Sequence, residues 1–306
     1  MSQNLGNEGA ASMLAGVGGR RLVGYLLLAV LSVAWGLNWP AMKTALGDVP
    51  PWTFRSGCVL GGGLALLAIA RMSGHSLKLP AGSLRAMLVL SFFNITVWHL
   101  STAFGVPLLP AGRAAIIAFT MPVWAALLAS WFLKERLTWR VLVGLGFGLA
   151  GLVVLIGSDL AALHQAPLGA GLLLLAALTW ATGTVAVKYY ALGVPATVLT
   201  GWILLIGGTP IVIGMALVEG VPDVDSYSVS ALVGWSYSTF VAMVFCQCTY
   251  LKVVTMLPAT VAAVGTLAIP VVGVVSSAVL LDEPVGATEA IALTLVVSAM
   301  FWVRPK

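Results

Sequence analysis

The feature that most constrains this chain is a series of apolar segments, each about as long as a lipid bilayer is thick. A helix needs about 20 apolar residues to cross the roughly 30 Å of hydrocarbon. Such segments lie near residues 22–42, 52–71, 84–104, 110–132, 138–157, 167–188, 196–218, 229–251, 258–281 and 286–303. Because short turn-like sequences separate them, we expect an all-α integral membrane protein of ten transmembrane helices without an extramembrane domain.

The composition agrees with lipid as the main solvent. Hydrophobic residues make up 60% of the chain and charged residues only 8%, whereas soluble domains contain about 45–50% and about 25%. This balance excludes a soluble enzyme, a nucleic-acid-binding module and a secreted disulfide scaffold. The three cysteines, Cys58, Cys246 and Cys248, lie inside apolar stretches and are interpreted as small buried apolar residues.

The basic residues predict the orientation. Residues 1–21 contain Gly, Asn and Ser without an apolar period, and we expect a disordered cytoplasmic tail there. With ten spans and the N-terminus inside, most of the 15 Lys and Arg residues lie in cytoplasmic loops, as the positive-inside rule requires. Both termini are therefore predicted to be cytoplasmic. Lys43, Arg55 and Arg113 fall at the opposite ends of their spans.

The two halves of the chain resemble each other. The sequence that begins at Leu109 recurs 148 residues later at Leu257, and Pro122 then aligns with Pro270 without a gap. At an offset of 145 residues, Trp35 aligns with Trp180. We therefore expect two repeats, residues 22–157 and residues 158–306.

Five spans in each repeat is an odd number, so the second repeat must enter the membrane in the opposite sense. Inverted repeats are a recurrent plan of secondary transporters, which bind substrate near the bilayer midplane between the two copies. The prediction is an alternating-access transporter. A duplication that serves only to build a helix bundle is the alternative.

These features resemble the EamA-type transporters of the drug/metabolite transporter superfamily. The resemblance rests on the five-plus-five repeat, on the sequence AWGLNWP at residues 34–40, and on the proline and glutamate pattern that ends the fourth and ninth segments. Within that family the chain most resembles the bacterial aromatic amino-acid exporters. The resemblance implies a basket-like fold in the bacterial inner membrane and export of small metabolites from the cytoplasm.

Polar side chains within lipid are costly and usually face a cavity or the bundle interior. His99 and Gln247 are repeat equivalents at the offset of 148 residues, and each can donate and accept hydrogen bonds. Together with Asn38 and Tyr250 they are predicted to bind the polar groups of a zwitterionic substrate. The alternative is that they form interhelical hydrogen bonds only.

Aromatic side chains supply candidate apolar walls for the same site. Trp35 and Trp180 lie in the middle of equivalent segments, and their rings could stack on an aromatic substrate. Phe119 lies one turn before Pro122 and could extend this wall. Plain helix packing is the alternative for all three.

Pro122 and Pro270 fall near the middle of the fourth and ninth segments. A mid-helix proline removes one hydrogen bond and kinks the helix. Matched kinks predict gating hinges, with static kinks that only shape the bundle as the alternative.

The expected partners are a small-molecule substrate and the lipid bilayer, with no nucleic acid. We expect no cofactor, no metal site and no catalytic residue, because no buried carboxylate pair or nucleophile motif is present. A channel or an intramembrane enzyme is the alternative from another class.

No Walker sequence occurs, so we expect transport driven by the substrate gradient, or coupled to protons through His99 at most. The chain is expected to be a monomer; glycines near Gly61 and Gly148 leave a homodimer contact open.

Overall fold

A computed structural model describes residues 3–134, 138–157, 166–257, 266 and 268–303, and all regular structure in these ranges is helical. We number the helices in chain order. They are α1 (Gln3–Leu46), α2 (Pro51–Met72), α3 (Leu84–Leu108), α4 (Ala111–Phe132), α5 (Trp139–Gly157), α6 (Ala166–Tyr190), α7 (Ala196–Glu219), α8 (beginning at Val229 and ending at Met256), α9 (Ala268–Leu281) and α10 (Ala287–Val303).

Seven of these helices are long and apolar enough to cross a membrane, namely α1 from Leu22, α2, α3, α4, α6, α7 and α8. Shorter apolar stretches occupy α5, α9 and α10. Large apolar side chains face outward, among them Trp131, which is 79% exposed, and Leu217, which is 81% exposed. A soluble surface rarely carries so many. The prediction of an all-helical chain with several membrane spans is confirmed, while the start of the expected ninth span lies outside the described residues.

The first helix is longer than the sequence predicts. It begins at Gln3 and runs without interruption to Leu46, whereas we expected a disordered tail over residues 1–21. The apolar part of this helix begins at Leu22, one residue after the expected end of the tail.

Helices of the first half pack mainly on helices of the second half. Helix α2 packs on α7, and α5 packs on α10. Helix α1 packs on α9 and α8, while α6 packs on α4 and α3. These pairs are related by the repeat, in which each helix corresponds to the helix five places away in the chain. The contact of α1 with α9, for example, corresponds to the contact of α6 with α4.

Glycines bring two further pairs of helices close together, α2 with α8 and α7 with α3, and they do so at equivalent positions. A Cβ at Gly62 would lie 3.1 Å from Met243 Cβ, and a Cβ at Gly207 would lie 2.6 Å from Ile95 Cβ. Gly62 and Gly207 are 145 residues apart, and Ile95 and Met243 are 148 residues apart. In lipid, where no hydrophobic effect drives helices together, such close approach of small residues supplies much of the packing energy.

The predicted mid-helix proline kink in α4 is wrong in its geometry. The α-helical hydrogen-bond ladder ends at Ala118, a turn follows at Phe119, and a new helical segment begins at Met121. Pro122 thus lies in the first turn of that segment, where its missing N–H leaves no ladder bond unmade. Pro270 is likewise in the first turn of α9, which begins at Ala268. Whether these positions act as hinges stays a prediction.

We expect Gly207→Ala to lower the stability of the folded protein. The new methyl group would lie 2.5 Å from the carbonyl oxygen of Ser91, and overpacking of this kind costs about 1–3 kcal/mol. The matched control is Gly171→Ala, because an added Cβ there meets nothing within 4 Å. Thermal unfolding of the detergent-purified variants measures both effects; equal midpoints for the two variants would contradict the packing described above.

Candidate functional site

Two π-helical segments lie immediately before the predicted polar pair. One spans Phe92–Val97 in α3 and ends two residues before His99. The other spans Tyr237–Phe245 in α8 and ends two residues before Gln247. Widened turns of this type frequently occur at functional sites, because they release backbone groups from the regular ladder. No pattern in the sequence predicts these two segments.

His99 and Gln247 differ in how they are satisfied. His99 is only 5% exposed, and its Nδ1 atom has no hydrogen-bond partner. Gln247 is half-buried and its Nε2 atom donates a long hydrogen bond of 3.5 Å to Thr200 Oγ1. An unsatisfied buried polar atom costs free energy, so the His99 imidazole is the better candidate for a ligand contact.

Trp35 and Tyr250 are brought together, as a common site requires. Their ring centroids lie 5.9 Å apart across the contact between α1 and α8. The indole Nε1 of Trp35 donates a 3.0 Å hydrogen bond to the carbonyl oxygen of Ala242. That carbonyl lies within the π-helical segment of α8.

The other predicted aromatic residues have partners that the sequence analysis missed. Trp180 on α6 lies 4.8 Å from Trp98 on α3, measured between ring centroids. Phe119 is buried and contacts Trp39 edge to face at 6.4 Å. Trp35 and Trp98 both pack against the apolar cluster that contains Trp39 and Phe119, so the aromatic pairs border one common apolar cluster.

Asn38 on α1 has an unsatisfied acceptor. Its Oδ1 atom is buried and has no hydrogen-bond partner. The repeat equivalent of Asn38 is Gly183, and the amide of Asn94 fills the space that a side chain would occupy there. Asn94 itself is satisfied, since its Nδ2 atom donates to the carbonyl oxygen of Leu90 at 3.0 Å. The second repeat therefore has no amide oxygen at the position equivalent to Asn38.

Arg55 is a buried cation whose environment the sequence analysis missed. It lies on the second turn of α2, is 4% exposed, and donates from Nε to the carbonyl oxygen of His99 at 3.0 Å. Its Nη2 atom donates to Thr102 Oγ1 at 2.6 Å and to Met42 Sδ at 2.7 Å. The sequence analysis placed Arg55 at a span end, and only its position against α1 and α3 reveals its burial.

Carboxylates connect the helices at one end of the molecule, which we define by Lys43, Asp48 and Glu283. We call it the outer end after the orientation predicted from the sequence. Lys43 Nζ lies 2.8 Å from Glu283 Oε1. The same carboxylate accepts hydrogen bonds from the backbone N–H groups of Ala111 and Gly112 at the start of α4. A carboxylate at a helix N-terminus is stabilised by these donors and by the helix dipole. The outer ends of α1, α4 and the loop before α10 are thereby joined.

Two further carboxylates join other elements at the outer end. Glu219 accepts from the backbone N–H groups of Trp52 and Thr53, at the start of α2. Asp48 accepts from the backbone N–H of Ser228 at 2.6 Å, just before α8. This hydrogen bond lowers the pKa of Asp48 from its usual value. The contact is therefore complete at neutral pH and is lost as the pH falls through the lowered pKa.

An open cavity of about 720 Å³ lies elsewhere, at the loop between α2 and α3. Arg71, His75, Lys78 and Trp202 are among its lining residues. None of the predicted site residues lines it, so the candidate site is defined by the side-chain contacts between α1, α3, α6 and α8.

The architecture and the site define a multi-pass helical membrane protein with an internal duplication. The sequence model of the EamA-like transporter family matches twice, over residues 22–157 and residues 167–304. The chain belongs to the EamA-like transporter family. The resemblance inferred from the sequence is confirmed.

Several curated relatives align over nearly the whole chain. An uncharacterized transporter of Bacillus subtilis, YvbV, is 28% identical over 92% of this chain and 91% of its own length. A protein of Salmonella typhimurium named as a probable amino-acid metabolite efflux pump is 27% identical over 91% of this chain and 93% of its own length.

One crystal structure of a protein shares the fold. It is 22% identical, covers 92% of this chain and 97% of its own, and superposes with a TM-score of 0.64. At this identity the likeness concerns the fold alone.

We expect the Lys43 and Glu283 side chains to be energetically coupled. Lys43→Met and Glu283→Gln should each lower the free energy of unfolding by about 1–3 kcal/mol, because a charge-assisted and partly buried contact is lost. The double variant should lose less than the sum. Denaturant or thermal unfolding of the four proteins measures the coupling.

Asp282→Asn is the control for this cycle. Asp282 is exposed, and its φ of 51° is a left-handed value that Asn also tolerates. Its stability should match that of the unmodified protein. Strictly additive effects of the Lys43 and Glu283 changes would show that the 2.8 Å contact contributes nothing.

Proposed function

We propose that this chain is a carrier that exports small metabolites, aromatic and other neutral amino acids above all, from the cytoplasm by alternating access. The observation that carries the proposal is a set of aromatic rings beside two unpartnered buried polar atoms, Asn38 Oδ1 and His99 Nδ1. Such sites suit a ligand with one apolar and one polar end. The relative named as a probable amino-acid metabolite efflux pump supports the substrate class.

We propose ten spans in two inverted repeats, with both termini cytoplasmic in the bacterial inner membrane. The exchange-symmetric packing of α2 with α7 and of α5 with α10 supports a two-fold relation between the halves. The matched glycine contacts of Gly62 and Gly207 support it as well. Two nearly equivalent halves can exchange conformations, and the exchange opens a shared site to alternate sides.

The outer end gives alternating access a physical basis. In this arrangement the carboxylate of Glu283 holds Lys43 and the start of α4 together, which closes that end. The proposed cycle breaks these contacts when substrate leaves outward. The interruption of α4 at Phe119 lets the segment before Pro122 move while the segment after it stays packed.

We propose a monomer as the transporting unit. The glycines that could have served a dimer contact are used within the chain: Gly148 packs against Val123, and Gly61 packs against Thr239. These intramolecular contacts favour the monomer over the homodimer.

Trp35→Ala is expected to lower the initial uptake of phenylalanine into reconstituted vesicles about two- to tenfold, since an aromatic contact contributes about 0.5–1.5 kcal/mol. His99→Ala should also lower it, because it removes a hydrogen-bonding group from the proposed site. Trp131→Ala is the control, because Trp131 is 79% exposed on the outward surface. Uptake should saturate with substrate. If both site variants transport at the unmodified rate, the site assignment is wrong. Ion currents that do not saturate would show that the protein is a channel, and product formation would show that it is an enzyme.

Transport driven by the substrate gradient alone should not respond to an imposed pH gradient. Within the described residues the buried carboxylate of Glu289 is paired with Arg113 at 2.6 Å, so it is not free to carry protons in this arrangement. Vesicles with equal and unequal internal pH, loaded with phenylalanine, test this. A rate that follows the pH gradient overturns the passive mechanism, and loss of that response in His99→Gln would assign the coupling to His99.

A further inference from the structure

We propose that Arg55 is the anchor for a substrate carboxylate, so that the transported class is small zwitterions or carboxylates rather than cations. This inference deepens the proposed function and rests on it. It starts from the cost of placing a guanidinium, 4% exposed, in a membrane span. A buried cation is normally paired with an anion, yet no carboxylate of the described residues pairs with Arg55.

The protein partners of Arg55 are all neutral, and one of them is weak. The guanidinium donates to a carbonyl oxygen, a hydroxyl and the thioether sulfur of Met42. A thioether is a poor acceptor, so a carboxylate oxygen would displace it with a gain in hydrogen-bond energy. Nη1 makes no hydrogen bond to any described residue. The Nη1–Nη2 edge can therefore receive a carboxylate in the two-pronged geometry that arginine favours.

The surroundings of Arg55 connect this edge to the candidate site. Trp35, Asn38 and Met42 follow one another at spacings of three and four residues, so they share one face of α1. Met42 contacts Arg55, and the unpartnered Oδ1 of Asn38 lies one turn further from the outer end. A ligand with its carboxylate on Arg55 can place its ammonium group on Asn38 Oδ1. Its apolar part then lies along Trp35.

The repeat equivalents sharpen the assignment. At the offset of 145 residues Arg55 corresponds to Thr200, and at 148 residues His99 corresponds to Gln247. Both pairs are in contact, through the His99 carbonyl in one half and through the Gln247 amide in the other. The fixed positive charge is present in the first half alone. The two repeats together thus provide one carboxylate anchor, which fits one small substrate.

Direct binding to the detergent-purified full chain tests the proposal. The ligands are phenylalanine, 3-phenylpropionate and phenylalaninamide, which differ in the carboxylate and the amine; binding is followed by titration calorimetry. The unmodified protein should bind the two carboxylates at least about tenfold more tightly than the amide, because charge-assisted hydrogen bonds are lost with the carboxylate. Arg55→Gln should abolish this preference, and Arg55→Lys should keep part of it.

Thr102→Val separates carboxylate binding from a purely structural role. It removes one acceptor of Arg55 but keeps the charge, so the thermal midpoint should fall while the preference for carboxylates remains. If Arg55→Gln fails to fold, the Arg55→Lys variant and the three ligands on the unmodified protein still test whether Arg55 binds the carboxylate.

The outcomes for this site and for the transport proposal are distinguishable. Equal binding of the amide and the two carboxylates by the unmodified protein overturns the Arg55 anchor, even if vesicle transport saturates. Absence of carboxylate binding overturns it too. Tight, Arg55-dependent carboxylate binding without any transport in vesicles supports the anchor and overturns the proposed function.

Discussion

Close contact between helices of opposite halves is the constraint on which the rest of this structure depends. Lipid provides no hydrophobic drive for helices to associate, so the contacts must come from shape. Gly62 and Gly207 allow Met243 and Ile95 to approach their backbones, and these four positions are paired by the repeat. Because each half packs mainly on the other, the contacts of Trp35 with Tyr250 and of Trp98 with Trp180 require both halves.

The positions of the polar groups follow from the need to satisfy their hydrogen bonds within the membrane. Carboxylates at the outer end bind helix N-termini, as Glu219 does for α2 and Glu283 for α4, so they satisfy orphan N–H groups where water and protein meet. Deeper in the spans most hydroxyls return to their own helix; the Thr182 hydroxyl, for example, donates to the carbonyl oxygen of Leu178. Other buried polar groups depart from this pattern: Asn38 Oδ1 and His99 Nδ1 have no hydrogen-bond partner, nor do the hydroxyls of Ser56, Ser91 and Ser238. Arg55 differs from all of these because it carries a charge and donates to groups on two other helices.

The sequence predicted the helical class, the presence of several membrane spans and the duplication, because hydropathy and repeat offsets are properties of local sequence. It predicted His99 and Trp35 as site residues because polar and aromatic types are rare at depth. It missed the burial of Arg55, because residue number indicates depth but not which face a helix turns to its neighbours. It also missed Trp98 and the π-helical segment Phe92–Val97, since a widened turn depends on tertiary packing. The interruption at Phe119 was expected as a kink, because a proline alone does not reveal whether the helix bends or restarts.

The packing of the helices is symmetric between the two repeats, but the polar residues of the candidate site are not. Asn38 is matched by Gly183, Arg55 by Thr200, and His99 by Gln247, so the fixed charge and the free amide oxygen belong to one half. Under the proposed alternating access, symmetric packing favours two conformations of similar free energy, because exchanging the halves exchanges equivalent contacts. Under the same proposal, an asymmetric lining keeps the substrate on the same half through that exchange. Under the proposed function, the two requirements of a carrier, reversible access and a fixed binding preference, are therefore met by different residues. The glycines serve the first and the polar residues of the first repeat serve the second.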